Sequence, residues 1–497
     1  MTSTQPVLTA DLVLDDPSPV AAYRRLAASF PVPGIIAEPG GNAGEGQGGG
    51  VAFVGVAPDL VWRCRGGRAE LSLGSPGAFA PCPDGTIESL RRVAAESRLA
   101  GLPQGLDPAA AGLWGYLGYD AVRLLYSLPG DGPPDPLGIP DGMFMRPSVV
   151  LVIDTTSGRA TVATPIRPGS SAAAAADRLA HAAAALRGPV PAVARRTAPA
   201  DTTPQTALQP TMTREAFGAM AARAQQAVRA GALRQAGVSQ RFAAPFLPAA
   251  SDLYDALRRG GPAALLFCLE FGDFALVGAS PCLLAEVTAG RDGGADRRMR
   301  VRPIGGTRPR GASPDEDERL AADLLASTKE TDEHLMLLDA GREEVASVAR
   351  PGTLKVTERL AVRRFPAVMH LRSTVEGTLR ADRDALDALL AAFPAATVVG
   401  VPKRPAIELV DAVEPVRRSF YGGAVACFAA DGGMASHIAI RTALLKDGVL
   451  HAQAGAGIVA GRRRGRRVPG DDAQGAGADA RRRRCRARSA APVGSRK

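Results

Sequence analysis

The chain has 497 residues and a formal net charge of +10, and this charge imbalance lies at one end. Residues 461–497 carry 13 Arg and Lys against 3 Asp, a net charge of +10, so residues 1–460 are neutral. No aromatic residue stands among these arginines, which leaves no platform on which nucleobases stack. The basic pI of about 9.7 therefore does not indicate a nucleic-acid-binding protein.

The cysteines and the apolar runs indicate a soluble protein of a reducing compartment. The six cysteines are scattered and form no Cys-x-x-Cys pair, which argues against a zinc site or a disulfide framework. The N-terminus lacks the features of a signal peptide, and no apolar run approaches the roughly 18 residues of a membrane span. We therefore expect a cytoplasmic protein without a membrane partner.

Composition divides the chain into four regions. Residues 1–186 mix short strand-like runs, such as 148–153, with Gly-rich turns. Residues 187–211 are rich in Pro, Ala and Thr, which predicts a surface linker. Residues 212–460 form the second large region. Residues 461–497 contain only three apolar residues larger than alanine, so we expect this segment to be disordered.

The composition of residues 461–497 has two explanations. Arg, Ala, Gly and Pro make up 27 of the 37 residues, and all four are encoded by codons that contain only G and C. A shifted reading frame in a GC-rich gene produces this composition. A natural basic tail is the alternative.

Periodic patterns are clear in the second large region. Apolar residues at helical spacing predict a helix over 217–228. Apolar runs at 265–267 and 274–277, separated by Gly272 and Asp273, predict paired strands. Runs of strands in both halves of the chain, with few regular β-α-β units, indicate a mainly antiparallel α+β fold.

A further helix is predicted to begin at Pro314. Ser313 is the expected N-cap, Pro314 takes the first turn, and Glu316 completes a capping box. Its buried face is expected to carry an apolar stripe formed by Leu320, Leu324, Leu335 and Leu338.

A series of motifs runs from residue 303 to residue 459. They resemble the chorismate-binding enzymes, and within that family the component I branch of anthranilate synthase. The motifs are Pro303-Ile304-Gly305-Gly306-Thr307-Arg308, Glu333-His334-Leu335-Met336, Val368-Met369-His370, Phe393-Pro394, Gly422-Gly423-Ala424-Val425, Ile440-Arg441-Thr442 and Gln453-Ala454-Gly455-Ala456-Gly457.

The resemblance has implications for fold and reaction. It implies two large, mainly antiparallel sheets packed face to face, with helices outside and the active site between the sheets. It identifies 1–186 as the family's N-terminal region and 212–460 as the chorismate-binding catalytic domain. The implied activity is conversion of chorismate and ammonia to anthranilate and pyruvate in tryptophan biosynthesis. The ammonia would come from a separate glutamine amidotransferase subunit.

Two residues would carry much of the chemistry by resemblance. Glu333 would be a Mg²⁺ ligand, since hard carboxylate oxygens suit this ion; alone, it also fits an acidic residue on the solvated face of a helix. His370 would be the active-site histidine, suited to stabilising or shuttling a proton. A lone histidine is otherwise more often a core or surface residue.

The remaining implied site residues would bind the substrate. Arg441 would pair with the enolpyruvyl carboxylate, because guanidinium binds carboxylate through two parallel hydrogen bonds. The glycines would allow close approach of backbone N–H groups to carboxylate oxygens. The implied substrate-binding residues besides Arg441 are Gly306, Thr307, Thr397, Tyr421, Gly455 and Gly457.

Two positions separate the branches of the family. The ammonia-using members carry glutamine where the water-using members carry lysine, and this chain places Gln235 there. Aminodeoxychorismate synthases carry lysine where this chain has Gly305. Both residues favour anthranilate as the product, and an aminodeoxychorismate or 4-aminobenzoate type of synthase is the alternative.

The chain also departs from the family pattern at two chemically important positions. Cys282 stands in place of the glutamate that acts as general acid. Gly470 stands in place of the second Mg²⁺ ligand, thirteen residues beyond Gly457. These changes predict slow turnover, and a non-catalytic relative that binds without turnover is a further alternative.

Overall fold

The computed structural model describes most of the chain. The described residues are 6–30, 32–40, 50–74, 77–191, 207–261, 263–290, 296–365 and 367–459.

The described strands are numbered in chain order. They are β1 (Val7–Val13), β2 (Gly34–Pro39), β3 (Val51–Arg65), β4 (Arg68–Leu73), β5 (Ala80–Pro81), β6 (Leu113–Leu117), β7 (Gly142–Asp154), β8 (Arg159–Pro165), β9 (Gln209–Pro210), β10 (Gln235–Pro245), β11 (Leu265–Glu270), β12 (Phe274–Ser280), β13 (Leu283–Thr288), β14 (Arg298–Val301), β15 (Ile304–Pro309), β16 (Lys355–Arg364), β17 (Val368–Thr378), β18 (Gly400–Val401), β19 (Ala424–Phe428), β20 (Met434–Ile438), β21 (Thr442–Lys446) and β22 (Val449–Val459).

The helices are fewer. They are α1 (Pro19–Ala27), α2 (Thr86–Glu96), α3 (Ala172–Arg187), α4 (Arg214–Arg229), α5 (Ala250–Arg258), α6 (Pro314–Ala326), α7 (Thr328–Val348), α8 (Ala385–Ala392), α9 (Ala396–Val399) and α10 (Lys403–Val413), with a 3-10 helix at Tyr119–Leu124. None of the helices in the described ranges combines the length and apolar character that a membrane crossing requires.

The pairings between the described strands are antiparallel and link both halves of the chain. Strand β2 pairs with β3 on one side and with β11 on the other, and β6 pairs with β7 and β19. In the second half, β10 pairs along its length with β22, which continues through β21 to β12. The predicted α+β class with mainly antiparallel strands is therefore confirmed.

Large buried side chains from the two halves of the chain pack together. One buried cluster combines Phe53 of β3 and Trp114 of β6 with Phe267 of β11 and Leu276 of β12. Apolar side chains alternate with less buried ones along strands such as β1, as one-sided burial of a strand requires. This shared core holds the second-half strands in a fixed position against the first half.

Several elements follow the sequence patterns. The run 148–153 lies within β7, and 217–228 lies within α4. The runs 265–267 and 274–277 lie in β11 and β12, which pair directly. Helix α4 begins after Thr213, whose hydroxyl accepts a hydrogen bond from the Ala216 N–H, as expected of an N-cap threonine.

The helix predicted from Pro314 begins there, as expected, but the prediction is wrong in its length. It ends at Ala326, and α7 begins at Thr328, so the expected apolar stripe belongs to two helices. Ser327 has an extended backbone, and its hydroxyl caps α7 by accepting from the Glu330 N–H at 3.4 Å. Serine side chains compete with helical hydrogen bonding in this way.

The capping box predicted at this helix is also wrong in its partner. Ser313 does cap α6, accepting from the Glu316 N–H at 3.3 Å. The Glu316 carboxylate, however, accepts from the N–H of Ala312 at 2.7 Å instead of that of Ser313. The reciprocal bond therefore reaches one residue further back along the chain.

The region boundaries are described only in part. Helix α3 ends at Arg187, the first residue of the predicted linker. Strand β9 lies near the end of this linker and pairs with β10. Residues 192–206 and the predicted disordered segment 461–497 lie outside the described residues.

Asp120 provides a pH-dependent prediction for the stability of the fold. Its carboxylate is buried and accepts a hydrogen bond from the Ser419 N–H at 2.7 Å, and burial raises its pKa to about 7. Between the unfolded pKa of roughly 3.9 and this value, the folded chain holds a proton that the unfolded chain has lost. Stability is therefore lost as pH rises through this window.

We expect Asp120→Asn to remove that loss, because the amide oxygen still accepts from Ser419 and carries no charge. The variant should gain stability over the unmodified chain by on the order of 2 kcal/mol at pH 8 and by little at pH 4. Denaturant unfolding at both pH values measures this difference. A gain that does not depend on pH would contradict the role assigned to Asp120.

Candidate active site

A cavity of about 390 Å³ opens between β10, β15, β17, α7 and the C-terminal part of β22. Every site residue predicted from the sequence within the described residues lines this cavity, and position 470 lies outside the described residues. The lining residues in question are Gln235, Cys282, Gly306, Thr307, Glu333, His370, Thr397, Tyr421, Arg441, Gly455 and Gly457.

His370 lies on β17 with one ring nitrogen held by the neighbouring strand. Its Nδ1 is 2.8 Å from the carbonyl oxygen of Gly306 and 3.1 Å from the hydroxyl oxygen of Thr307. A carbonyl only accepts, so Nδ1 carries the proton and Nε2 keeps a lone pair in the neutral ring. Burial lowers the pKa of His370, and the charge of Arg441 lowers it further. The neutral imidazole suits proton acceptance.

Tyr421 and Gly455 meet at another wall of the cavity. The Gly455 N–H donates a hydrogen bond to the Tyr421 hydroxyl, and burial raises the pKa of this hydroxyl to about 12. A Cβ on Gly455 would lie 2.6 Å from the hydroxyl oxygen, closer than any normal contact. Glycine is therefore required at 455 for this contact. At Gly457 a Cβ would lie 3.4 Å from Nε2 of Gln235, an ordinary contact.

Arg441 is the exposed cation at the cavity. Its backbone has a positive φ of 51°, and its carbonyl accepts from the Ala279 N–H at 3.1 Å. No carboxylate in the described part of the chain forms an ion pair with its guanidinium. The planar donor pair is consequently available to a carboxylate ligand.

Cys282 follows Pro281 in the turn between β12 and β13. Burial raises the pKa of its thiol to about 11, although the charge of Arg441 acts in the opposite direction. The thiol therefore stays protonated near neutral pH and is a weak acid. It faces the same cavity as His370 and Arg441.

Glu333 has an unsatisfied oxygen at the cavity. Its Oε1 is buried and accepts no hydrogen bond, and it forms an ion pair with Nζ of Lys329 at 3.4 Å. A carboxylate oxygen without a hydrogen-bond donor fits one ligand position for a hard cation. Within the described ranges, no group of three or more His, Cys, Asp or Glu side chains forms a metal site.

One ion pair at the cavity, between α7 and α10, is not apparent from the sequence patterns. Glu344 lines the cavity, and its carboxylate lies 2.7 Å from Nζ of Lys403. The lysine also donates to the carbonyls of Ala391 and Ala392 at 3.2 and 2.9 Å. Burial raises the pKa of Glu344, and Lys403 opposes this shift. Sequence separation hid the pairing, since the partners are 59 positions apart in the chain.

The two positions that separate the family branches also face this region. Gln235 begins β10, is buried, and pairs with Val459 and Val401. A Cβ on Gly305 would lie 3.2 Å from Cδ1 of Leu337 and 3.5 Å from Nδ1 of His334. A side chain at position 305 would therefore require the Leu337 side chain to shift slightly.

Comparisons with known proteins agree with this geometry. The family model described as chorismate binding enzyme matches residues 80–463. The chain is 41% identical over 462 residues to anthranilate synthase component 1 of Cereibacter sphaeroides, covering 91% of this chain and 89% of the relative. It is 37% identical over 444 residues to anthranilate synthase component 1 of Thermus thermophilus, covering 89% and 90%.

A solved structure gives the same result. The chain superposes on anthranilate synthase component I of Streptococcus pneumoniae with a TM-score of 0.70 at 28% identity, covering 88% of this chain and 90% of that one. The family match spans most of the chain and includes every site residue that lines the cavity. The chain belongs to the family of chorismate-binding enzymes.

Proposed function

We propose that the chain catalyses the reaction of anthranilate synthase component 1, in which chorismate and ammonia give anthranilate, pyruvate and water. The observation that carries this proposal is the cavity, where the Arg441 guanidinium, a neutral histidine and glycine backbone lie together. Ammonia adds to the ring, the ring hydroxyl leaves as water, and pyruvate is then eliminated. The relatives that share most of this chain's length bear the corresponding name.

Arg441 and the glycines of β22 would hold the substrate. The Arg441 guanidinium binds the enolpyruvyl carboxylate through two parallel hydrogen bonds. Backbone N–H groups near Gly457 and Gly306 approach carboxylate oxygens without a side chain in the way. This anchoring holds the ring between His370 and Cys282. The reacting groups are then already oriented, which lowers the entropic part of the barrier.

His370 and Cys282 would handle the protons. The neutral His370 ring accepts a proton through Nε2, while its Nδ1–H remains bonded to Gly306. Cys282 occupies the position from which the departing hydroxyl is protonated. A thiol with a pKa of about 11 gives up its proton reluctantly, which slows this step.

Gln235 and Gly305 bear on the nitrogen source and on the product. Gln235 presents a neutral amide at the cavity, which cannot activate water by taking its proton and leaves ammonia as the nucleophile. A Cβ at position 305 would already lie 3.2 Å from Cδ1 of Leu337, which disfavours a lysine there. Both observations support anthranilate over an aminodeoxychorismate-type product.

Glu333 would supply one ligand to Mg²⁺. The observation that supports this assignment is that its buried Oε1 accepts no hydrogen bond. When bound, the ion neutralises substrate carboxylate charge and helps to align the ring. Lys329, at 3.4 Å, would be displaced from the same carboxylate.

We expect the purified chain to form anthranilate from chorismate with ammonium salts and not with glutamine. The described residues contain no Gly-x-Cys-x-Gly turn for glutamine hydrolysis, so an amidotransferase subunit would supply ammonia from glutamine. Anthranilate fluorescence measures the product, and chromatography distinguishes it from 4-aminobenzoate. Glutamine-dependent turnover by the chain alone, or 4-aminobenzoate as the product, would contradict the proposal.

A further inference from the structure

A buried ion pair lies directly behind the cavity without lining it. The side chains of Arg418 and Glu414 are 1% and 4% exposed, and Nη2 lies 2.7 Å from Oε1. Nε of Arg418 donates to both carboxylate oxygens at 3.1 Å. Taking two charges out of water is costly, and such pairs seldom stabilise a fold more than apolar residues do. The position of this pair indicates another role.

The other donors of Arg418 bind residues that line the cavity. Nη1 donates to the carbonyl of Val398 on α9 at 2.9 Å, and Nη2 donates to the carbonyl of Gly237 on β10 at 2.9 Å. The guanidinium carbon also lies 5.9 Å from the centre of the Tyr421 ring. All three of these residues line the cavity. One planar group therefore joins three separate walls.

Glu414 extends the same contacts to a fourth wall. Its Oε1 accepts from the N–H and the hydroxyl of Ser239 on β10, at 2.8 and 2.9 Å. The Ser239 hydroxyl in turn accepts from Nε2 of Gln453 on β22 at 2.8 Å. Gln453 lines the cavity two residues before Gly455. The carboxylate thus links β22 to Arg418 through β10.

We propose that Arg418 and Glu414 are positioning residues that set the distances between the walls of the chorismate site. Guanidinium serves this role because its donors lie in one rigid plane and point in several fixed directions at once. A lysine retains the charge but cannot bind Gly237, Val398 and Glu414 with that geometry. For its catalytic readout, this inference rests on the proposed function.

Arg418→Lys in the full chain tests the proposal, with Arg167→Lys as the matched control. Arg167 is equally buried, with a side chain 1% exposed, and donates to the carbonyls of Ser97 and Ala111, neither of which lines the cavity. We expect Arg418→Lys to lower the ammonium-dependent kcat/KM for chorismate by about 10- to 100-fold, as small misplacements of reacting groups do. The control should leave kcat/KM unchanged even where it lowers Tm.

Amide hydrogen exchange provides a readout that does not require activity. In Arg418→Lys we expect faster exchange at Gly237, Val398 and Tyr421, and in Arg167→Lys at none of them. If Arg418→Lys fails to fold, Ser239→Ala weakens the same contacts more gently and should accelerate exchange at Gly237 and Gln453.

The outcomes separate the two proposals. Equal kcat/KM and equal exchange in both arginine variants would overturn the positioning role. An unmodified chain without any ammonium-dependent product would overturn the proposed function, and the exchange data alone would then decide the role of Arg418.

Discussion

Replacing Cys282 by glutamate is expected to raise ammonium-dependent anthranilate formation by about 10²–10⁴-fold, the usual contribution of a positioned general acid. Cys282 faces the cavity that holds His370 and Arg441, and its thiol has a pKa of about 11. Such a group protonates a departing hydroxyl poorly near neutral pH. A carboxylic acid at the same position releases its proton far more readily.

A control variant distinguishes the effect of the acidity of the new side chain from the effect of its size. Cys282→Gln has nearly the shape of glutamate and cannot donate a proton as an acid, so it should stay as slow as the unmodified chain. The rate of Cys282→Glu should fall as pH rises through the pKa of the new carboxyl. Equal rates for the two variants, or an unmodified chain turning over at about 1 s⁻¹ or faster, would contradict the role of position 282.

The sequence predicts the cavity better than it predicts what supports it. The glycines, His370 and Arg441 can be recognised because each of their chemical roles is open to only one or two residue types. The short motifs around them also preserve their spacing. The structure then places these motifs around one cavity, although more than 200 residues separate Gln235 from Gly457. The site residues can therefore be recognised from residue type and motif spacing, without knowledge of which strands pair.

Buried polar pairs and strand pairings are not predictable in the same way. The Arg418–Glu414 pair sits four residues apart in a segment rich in charge, and its pattern equally fits an exposed ion pair. Only the packing of β10 and α9 around it shows that both groups are buried. Likewise, the pairing of β2 with β11 depends on the hydrogen-bonding edges of distant segments, which neither segment's composition specifies.

Local competition explains the error in the helix after Ser313. The apolar stripe has helical spacing on both sides of Ser327, so periodicity alone predicts one helix. The Ser327 hydroxyl accepts from the Glu330 N–H, and its backbone carbonyl accepts from the Thr331 hydroxyl at 3.0 Å. Ser327, with its extended backbone, is thus both the C-cap of α6 and the N-cap of α7, and the segment forms two helices. The division brings Glu333 to the first turns of α7, beside the cavity.

Replacing His370 by glutamine is expected to lower ammonium-dependent turnover by about 10²–10⁴-fold, because the variant loses the only group here assigned to accept the proton. The glutamine amide still donates to the Gly306 carbonyl, so the wall formed by β15 and β17 should be retained. His451→Gln is the matched control. It removes a half-buried histidine on β22 that does not line the cavity, and it should leave turnover unchanged.

The pH dependence distinguishes proton acceptance from a purely structural role of His370. Burial and the charge of Arg441 lower the pKa of this histidine below its ordinary value of about 6.5, so the accepting, neutral form predominates at pH 7. Turnover should therefore fall only as pH drops through that lowered pKa, where the ring becomes protonated. In His370→Gln this acidic limb should disappear, whereas His451→Gln should keep it. An unchanged acidic limb in His370→Gln would show that another group accepts the proton, since the glutamine amide does not titrate in this range.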